Sequence, residues 1–225
     1  MKKLLVLALL FCFAVASYAD TDPTKSSAVV DEWAAVAENA LREGATTTIS
    51  DSYRTTVTVS VAATGADAGE GMYINIQTST KASGDDDWTT IQGGKIKALV
   101  GTANLETITN NPAAIGTTVF TVADDAGYEL AGMLLAFIED QDDVEDSELM
   151  YVVSSVTDTS VTVQDGSTTA HANTAVLSNL AEKYTFSVPV TAHRVRVIYD
   201  NTFDDDGTAP EIHSKATVDE VTSLS

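Results

Sequence analysis

The sequence predicts an all-β protein: a β-sandwich carrying an inserted small antiparallel β-barrel, with a short N-terminal helix or arm in front. Three observations lead there. Between Ile115 and Leu177, short β-branched segments alternate with turn residues: Thr117–Val122, Met133–Ile138, Leu149–Val156, Ser160–Val163 and Ala175–Leu177. Strand-like segments at roughly 8–12-residue spacing, separated by Asp, Gly and Asn, mark a small barrel or sandwich. The flanks, Arg54–Ile91 and Tyr184–Val218, carry strict apolar–polar alternation, which is the two-residue period of strands with one wet face. The predicted layout is therefore a signal peptide at 1–19, a helix or arm at 20–44, two sandwich halves at 45–99 and 180–225, and the barrel at 100–179.

The chain opens with Met1-Lys2-Lys3, an apolar run from Leu4 to Ala16, and Ser17-Tyr18-Ala19 before Asp20. A basic start, a short apolar core and small residues at the third and last positions before the cut predict secretion, with cleavage after Ala19. The alternative, an uncleaved anchor, needs a longer apolar run. Cys12 follows Leu10-Phe11; a lipoprotein signal needs a small residue just before the cysteine, so no lipid anchor is expected. The cleaved chain has no cysteine, so its stability must come from core, assembly or ions rather than disulfides.

The formal net charge is −21, or −23 without Lys2 and Lys3. Such a chain is repelled by nucleic acid and by anionic membranes, and neither is expected as a partner. It suits a soluble extracellular protein or one that takes up cations; charge that simply keeps an exposed β protein soluble is the plainer explanation.

Taken in order, Asp20–Ser27 is polar and contains Pro23. Val29, Val30, Trp33, Val36, Ala37, Ala40 and Leu41 recur at three- and four-residue spacing, with Ser26 or Ser27 as cap and Gly44 as stop, which predicts an amphipathic helix. The competing assignment is an extended arm that pairs with a neighbouring subunit, since Thr46–Ile49 runs on in strand-like sequence. Val57, Val59 and Val61 alternate with Thr56, Thr58 and Ser60; Met72, Ile74 and Ile76 alternate with Tyr73, Asn75 and Gln77. Trp88, after the turn Ser83–Asp87, is expected to fill the sandwich core rather than stand exposed as a binding platform. Gly93–Pro112, rich in Gly, Asn and Thr, is assigned as the crossing into the barrel, which returns near Asn179. Tyr184, Phe186 and Val188 lead to Pro189, which suggests a strand end or edge. Val195, Val197 and Tyr199 alternate with Arg194 and Arg196, and Ile212, Ser214, Ala216 and Val218 form a last strand.

No reactive motif stands out. The chain lacks a Gly-x-Ser-x-Gly elbow, a phosphate loop ending in Gly-Lys-Ser/Thr, and a His-Glu-x-x-His metal pair. His171, His193 and His213 are isolated in sequence, where a histidine is more often structural than catalytic. Adjacent carboxylates are plentiful by composition, and a glycosidase pair requires a separation that sequence does not show. Calcium is the ion that flexible carboxylate-rich loops would take. Three loops qualify: Asp85, Asp86 and Asp87; Glu139, Asp140, Asp142, Asp143, Glu145 and Asp146; and Asp200, Asn201, Asp204, Asp205 and Asp206. None has the spaced Asp-x-Asp-x-Asp-Gly loop, and Asp and Asn also serve as ordinary turn residues. Arg194 and Arg196 either pair with these acidic loops or meet an acidic patch on another subunit.

The central run of Thr117–Val122, Ala126-Gly127-Tyr128, Ala131-Gly132, Ser147-Glu148-Leu149, Tyr151–Val153, Ser160–Val163, Asp165-Gly166 and Ala170-His171-Ala172 resembles small β-barrel modules of tailed-phage virion proteins of the decoration or tail type. The flanks, with Gly84–Trp88 and Arg194–Val197 before Asp200-Asn201, resemble phage-like structural proteins that carry such a barrel. The resemblance implies packing against neighbouring subunits and no catalytic residues. The signal peptide departs from it, because virion proteins assemble in the cytoplasm. The expected role is thus a secreted, non-enzymatic protein that self-assembles through strand edges into a fibre, sheath or surface layer. The alternatives are a calcium-dependent adhesion or glycan-binding module, and a hydrolase with an unrecognised carboxylate pair.

Overall fold

The computed structural model describes residues 24–37, 39–49, 52–64, 71–84, 87–109, 113–123, 134–139, 144–156, 159–172, 174–202 and 212–223. Its strands are β1 (Thr24–Val36), β2 (Leu41–Glu43), β3 (Thr47–Thr48), β4 (Arg54–Ala63), β5 (Met72–Ser79), β6 (Thr89–Ala98), β7 (Leu105–Thr107) and β8 (Val119–Thr121). They continue with β9 (Leu134–Glu139), β10 (Glu148–Val156), β11 (Ser160–Val163), β12 (Val176–Ser178), β13 (Ala181–Val188), β14 (Arg194–Asp200) and β15 (Ile212–Ser223). The fold is all-β, and every strand pairing among the described residues is antiparallel.

Two sheets face each other. Sheet A has the order β1-β15-β4-β13, and sheet B the order β2-β14-β5-β6, with β3 also on β14. Alternation decides which residues lie between them: Val57, Val59 and Val61 of β4 and Ile74 and Ile76 of β5 are fully buried, as are Tyr199 of β14 and Ala216 of β15. The intervening Thr56, Thr58 and Ser60 face outward.

The third sheet, C, has the order β7-β12-β9-β10-β11-β8. Just past β7, Thr109 donates its amide (2.8 Å) and its hydroxyl (3.1 Å) to the carbonyl of Thr121 in β8. That contact brings the two edges together and curls the sheet around Ile108, Phe120, Ile138, Met150, Val161 and Leu177. Sheet C meets the outer face of sheet A at a small apolar joint. There Trp33 of β1 and Ala62 of β4 pack on Phe137 of β9, with Val144, Leu149 and Ala181 around them. The Trp33 and Phe137 rings lie 4.6 Å apart, and His213 of β15 lies 5.6 Å beyond Phe137.

Three expectations are corrected. Residues 29–41 are not a helix: β1 runs from Thr24 to Val36 and pairs with β15 of the same chain. Its register slips between Val29 and Asp31 and again between Asp31 and Ala34. Each irregularity adds a residue and resets the two-residue alternation. The packed apolar positions therefore fall at Val30 and Val36, facing the sandwich core, and at Trp33, facing the joint with sheet C; they are three apart and imitate a helical period. Second, Gly93 and Gly94 lie inside β6, not in a linker. Gly93 sits at φ +71, and a Cβ on Gly94 would lie 2.4 Å from the Ile91 side chain. The pair forms an irregularity opposite Asn75–Gln77 that only glycine accommodates. Third, Trp88 is outside the core and lies on the outer face of sheet B.

Candidate functional site

Of the residues in the predicted calcium loops, Asp87, Glu139, Glu145, Asp146, Asp200 and Asn201 fall within the described residues; Asp85, Asp86, Asp140, Asp142, Asp143, Asp204, Asp205 and Asp206 lie outside them, and Glu139 is taken up by His213 at 3.1 Å. Asp87 accepts a hydrogen bond from the Ser79 hydroxyl (2.8 Å) and lies 3.5 Å from the Arg194 guanidinium. Arg194 in turn donates to the carbonyls of Lys81 (2.7 Å) and Gly84 (2.6 Å), so it ties the 79–87 turn to β14. Asp200 accepts from the amide and the hydroxyl of Thr202, a local turn. Asn201 is buried, and its amide groups donate to Ala37 and Ala40. Asp87, Asp200 and Asn201 stabilise loops with their polar atoms. Among the described residues, no group of three or more His, Asp or Glu side chains is arranged to hold a metal.

Two of the three histidines that stand alone in sequence prove to have acidic neighbours. His171, fully buried at the barrel's mouth, lies 2.6 Å from Glu148, which also accepts from the amide and hydroxyl of Thr168. Burial pushes the Glu148 carboxyl up, but these hydrogen bonds outweigh it and hold the group below the ordinary glutamate range. His213 Nε2 lies 3.1 Å from Glu139 Oε1 at the joint. His193 is exposed on the turn before β14. Neither pairing was legible in sequence, because the partners are 23 and 74 positions apart.

A cleft of about 430 Å³ opens where sheet A meets the barrel. Thr58, Ser60, Lys183, Lys215 and Thr217 line the sheet side, Glu145–Leu149 with Thr168 and Thr169 line the barrel side, and Trp33 is at its base. Its walls are hydroxyls and charges of both signs. Lys215 is paired with Glu32 at 3.0 Å, and Glu148 is engaged as described, so these charges of the cleft are already paired within the chain.

The opposite side of the sandwich differs. On the outer face of sheet B, the guanidinium carbons of Arg194 and Arg196 lie 4.8 and 4.4 Å from the centre of the Trp88 ring. Arg196 also donates to Gln77 (2.9 Å) and Glu43 (3.1 Å). Beside them, the exposed Lys95 and Lys97 reach over Tyr73, at 4.8 and 6.0 Å. The alternation that pointed to Val195 and Val197 as core also placed both arginines outward, whereas the lysines of β6 were hidden by the assignment of that strand as a linker.

No protein-family model matches the chain, and no curated protein does. Among solved structures, VP17, a capsid protein of bacteriophage P23-77, aligns over 88% of this chain and 96% of its own length, at 8% identity and a TM-score of 0.18. An alignment at that score carries neither fold nor function across to this chain.

Proposed function

We propose that this is a secreted, non-enzymatic structural protein that associates with further copies of itself. The observation that carries the reading is the outer wall of the barrel. Ile115, Val119, Tyr151, Val153 and Val156 are 42–70% exposed there. Three of them follow one another along β10, running away from the joint, and β11 alone separates them from Val119 on β8. Scattered exposed apolar residues are ordinary, but several on one small wall mark a surface that is covered in use. The resemblance of the 117–172 pattern to virion barrel modules supports the same role, and the 1–19 segment supports export.

The test is light scattering and negative-stain microscopy on the chain from Asp20 onward, with and without millimolar calcium. Ordered particles larger than a monomer are expected; a well-folded monomer under every condition overturns the reading. Deleting residues 20–44 is not a usable control, because β1 supplies Trp33 and Val36 to the protein's own interior. The hydroxyl-lined cleft favours a second reading, binding of a glycan or other polyol, and retention on glycan matrices by a monomer would move the assignment there.

A further inference from the structure

Charge is unevenly distributed along this chain. From Val100 to Asn179 there are thirteen Asp and Glu and no Lys or Arg. The 100–179 segment is thus net negative with no Lys or Arg, and the outer wall of its barrel exposes Val119, Tyr151, Val153 and Val156. The outer face of sheet B carries Lys95, Lys97, Arg194 and Arg196 around Tyr73 and Trp88, with Leu41 54% exposed at its edge. In a chain with only 12 Lys and Arg, four on one sheet face is a concentration. Glu43, Asp87 and Asp200 share that face, with Glu43 on Arg196 and Asp87 on Arg194, and reduce its positive balance without cancelling it, leaving Lys95 and Lys97 exposed over Tyr73.

The barrel and the outer face of sheet B lie on opposite sides of the sandwich core. The apolar core is held between sheets A and B, and the barrel packs on the outer side of sheet A through Trp33, Ala62 and Phe137. Sheet B's outer face therefore looks away from the barrel of its own chain. We infer that the barrel wall of one copy docks on the basic, aromatic outer face of sheet B of the next copy, head to tail. This rests on the self-association proposed above and names its contact. A contact between two different patches is heterologous and propagates as a filament or ring, whereas one self-complementary patch stops at a dimer. Desolvated cations over aromatic rings suit an acidic partner, and the Tyr and Val side chains supply the apolar part.

Two full-length variants test it, each removing one side. Lys95→Glu with Lys97→Glu alters the sheet face; Tyr151→Ser with Val153→Asp alters the barrel wall. All four side chains are exposed, and near-ultraviolet circular dichroism with thermal melting checks that both variants fold. Should either fail to fold, Lys95→Gln with Lys97→Gln and Tyr151→Ser alone replace them. The expected result is at least a tenfold loss of assembled mass for each variant alone, wild-type assembly that weakens as salt rises, and 1:1 dimers without polymers when the variants are mixed. In the mixture each copy still offers the side the other lacks. Wild-type assembly that neither variant reduces overturns the docking contact and leaves self-association standing by another route. Variants that block assembly yet form no dimer on mixing overturn the head-to-tail pairing. A wild-type monomer at every salt concentration removes this contact together with the function on which it rests.

Discussion

The sandwich and the barrel are held together differently. Among the described residues, twenty side chains form the sandwich core and twelve the barrel's. The larger core is aliphatic, and its main polar element is a clamp between the sheets. Arg42 of β2 donates to Asp31 of β1 (2.7 Å) and to Ser214 of β15 (2.5 Å), with its guanidinium over the buried Tyr199 ring at 5.1 Å. A Cβ on Gly44 would lie 2.8 Å from Asp31 Oδ2, so glycine makes room for that carboxylate. The barrel, with less apolar surface to bury, is fastened by hydroxyls and by Glu148 with His171. Ser167 donates to the carbonyl of Ala114 (3.0 Å) and Thr169 to that of Asp146 (2.9 Å). A small core that leans on charged hydrogen bonds depends on pH more than a large aliphatic one does.

The two regions also respond to acid with opposite sign. Burial raises Asp31 above the ordinary aspartate range, and nearby Arg42 only partly offsets it. The folded protein therefore takes up that proton more readily than the unfolded chain, and the cost of the buried charge is relieved as pH falls through the raised value. Glu148 is the reverse. Its contribution is complete above the unfolded glutamate value of about 4.5 and is lost as pH falls through its lower folded value. Acid should therefore loosen the barrel before the sandwich.

The largest effects should come from the aromatic anchors. Phe120→Ala, in the barrel core, and Trp33→Ala, at the joint, should each cost about 3–5 kcal/mol. For Phe120→Ala, loss of β signal in circular dichroism should precede the change in Trp88 fluorescence, since Trp88 reports on sheet B. A single coincident transition would show that sandwich and barrel unfold as one cooperative unit. Next in size is the clamp. Arg42→Met should cost about 2 kcal/mol by leaving the Asp31 carboxylate buried without its cation. Asp31→Asn added to it should recover most of that loss, because removing both charges also removes the desolvation cost. Additive losses in urea titrations would mean that the two side chains act independently. The smallest is Glu148→Gln, about 1–2 kcal/mol at pH 7. Its melting temperature should converge on the wild-type value as pH drops below 4.5, and a gap that persists at pH 3 would remove Glu148 as the source of acid sensitivity.

Much of the architecture could be read directly from residue order. The alternation in β4, β5 and β14 announced both the strands and their buried faces, because a two-residue period survives wherever one face is wet and no residue is inserted. β11 fell at Ser160–Val163 as expected, and Pro189 ends β13 because proline has no amide to donate. The misreadings occurred where a bulge breaks that period: β1 took on a helix-like spacing, and β6 was concealed by Gly93-Gly94. Long-range pairing decided the rest. Whether Trp88 lies in the core or on Arg194 and Arg196 depends on which face of sheet B the 79–87 turn folds over. Glu148 becomes a partner of His171, and Glu139 of His213, only when strands distant in sequence are brought together. Composition alone determined that residues 100–179 carry no cation; that this acidic barrel and the basic face of sheet B lie on opposite sides is a property of the packing, because the core between sheets A and B separates them.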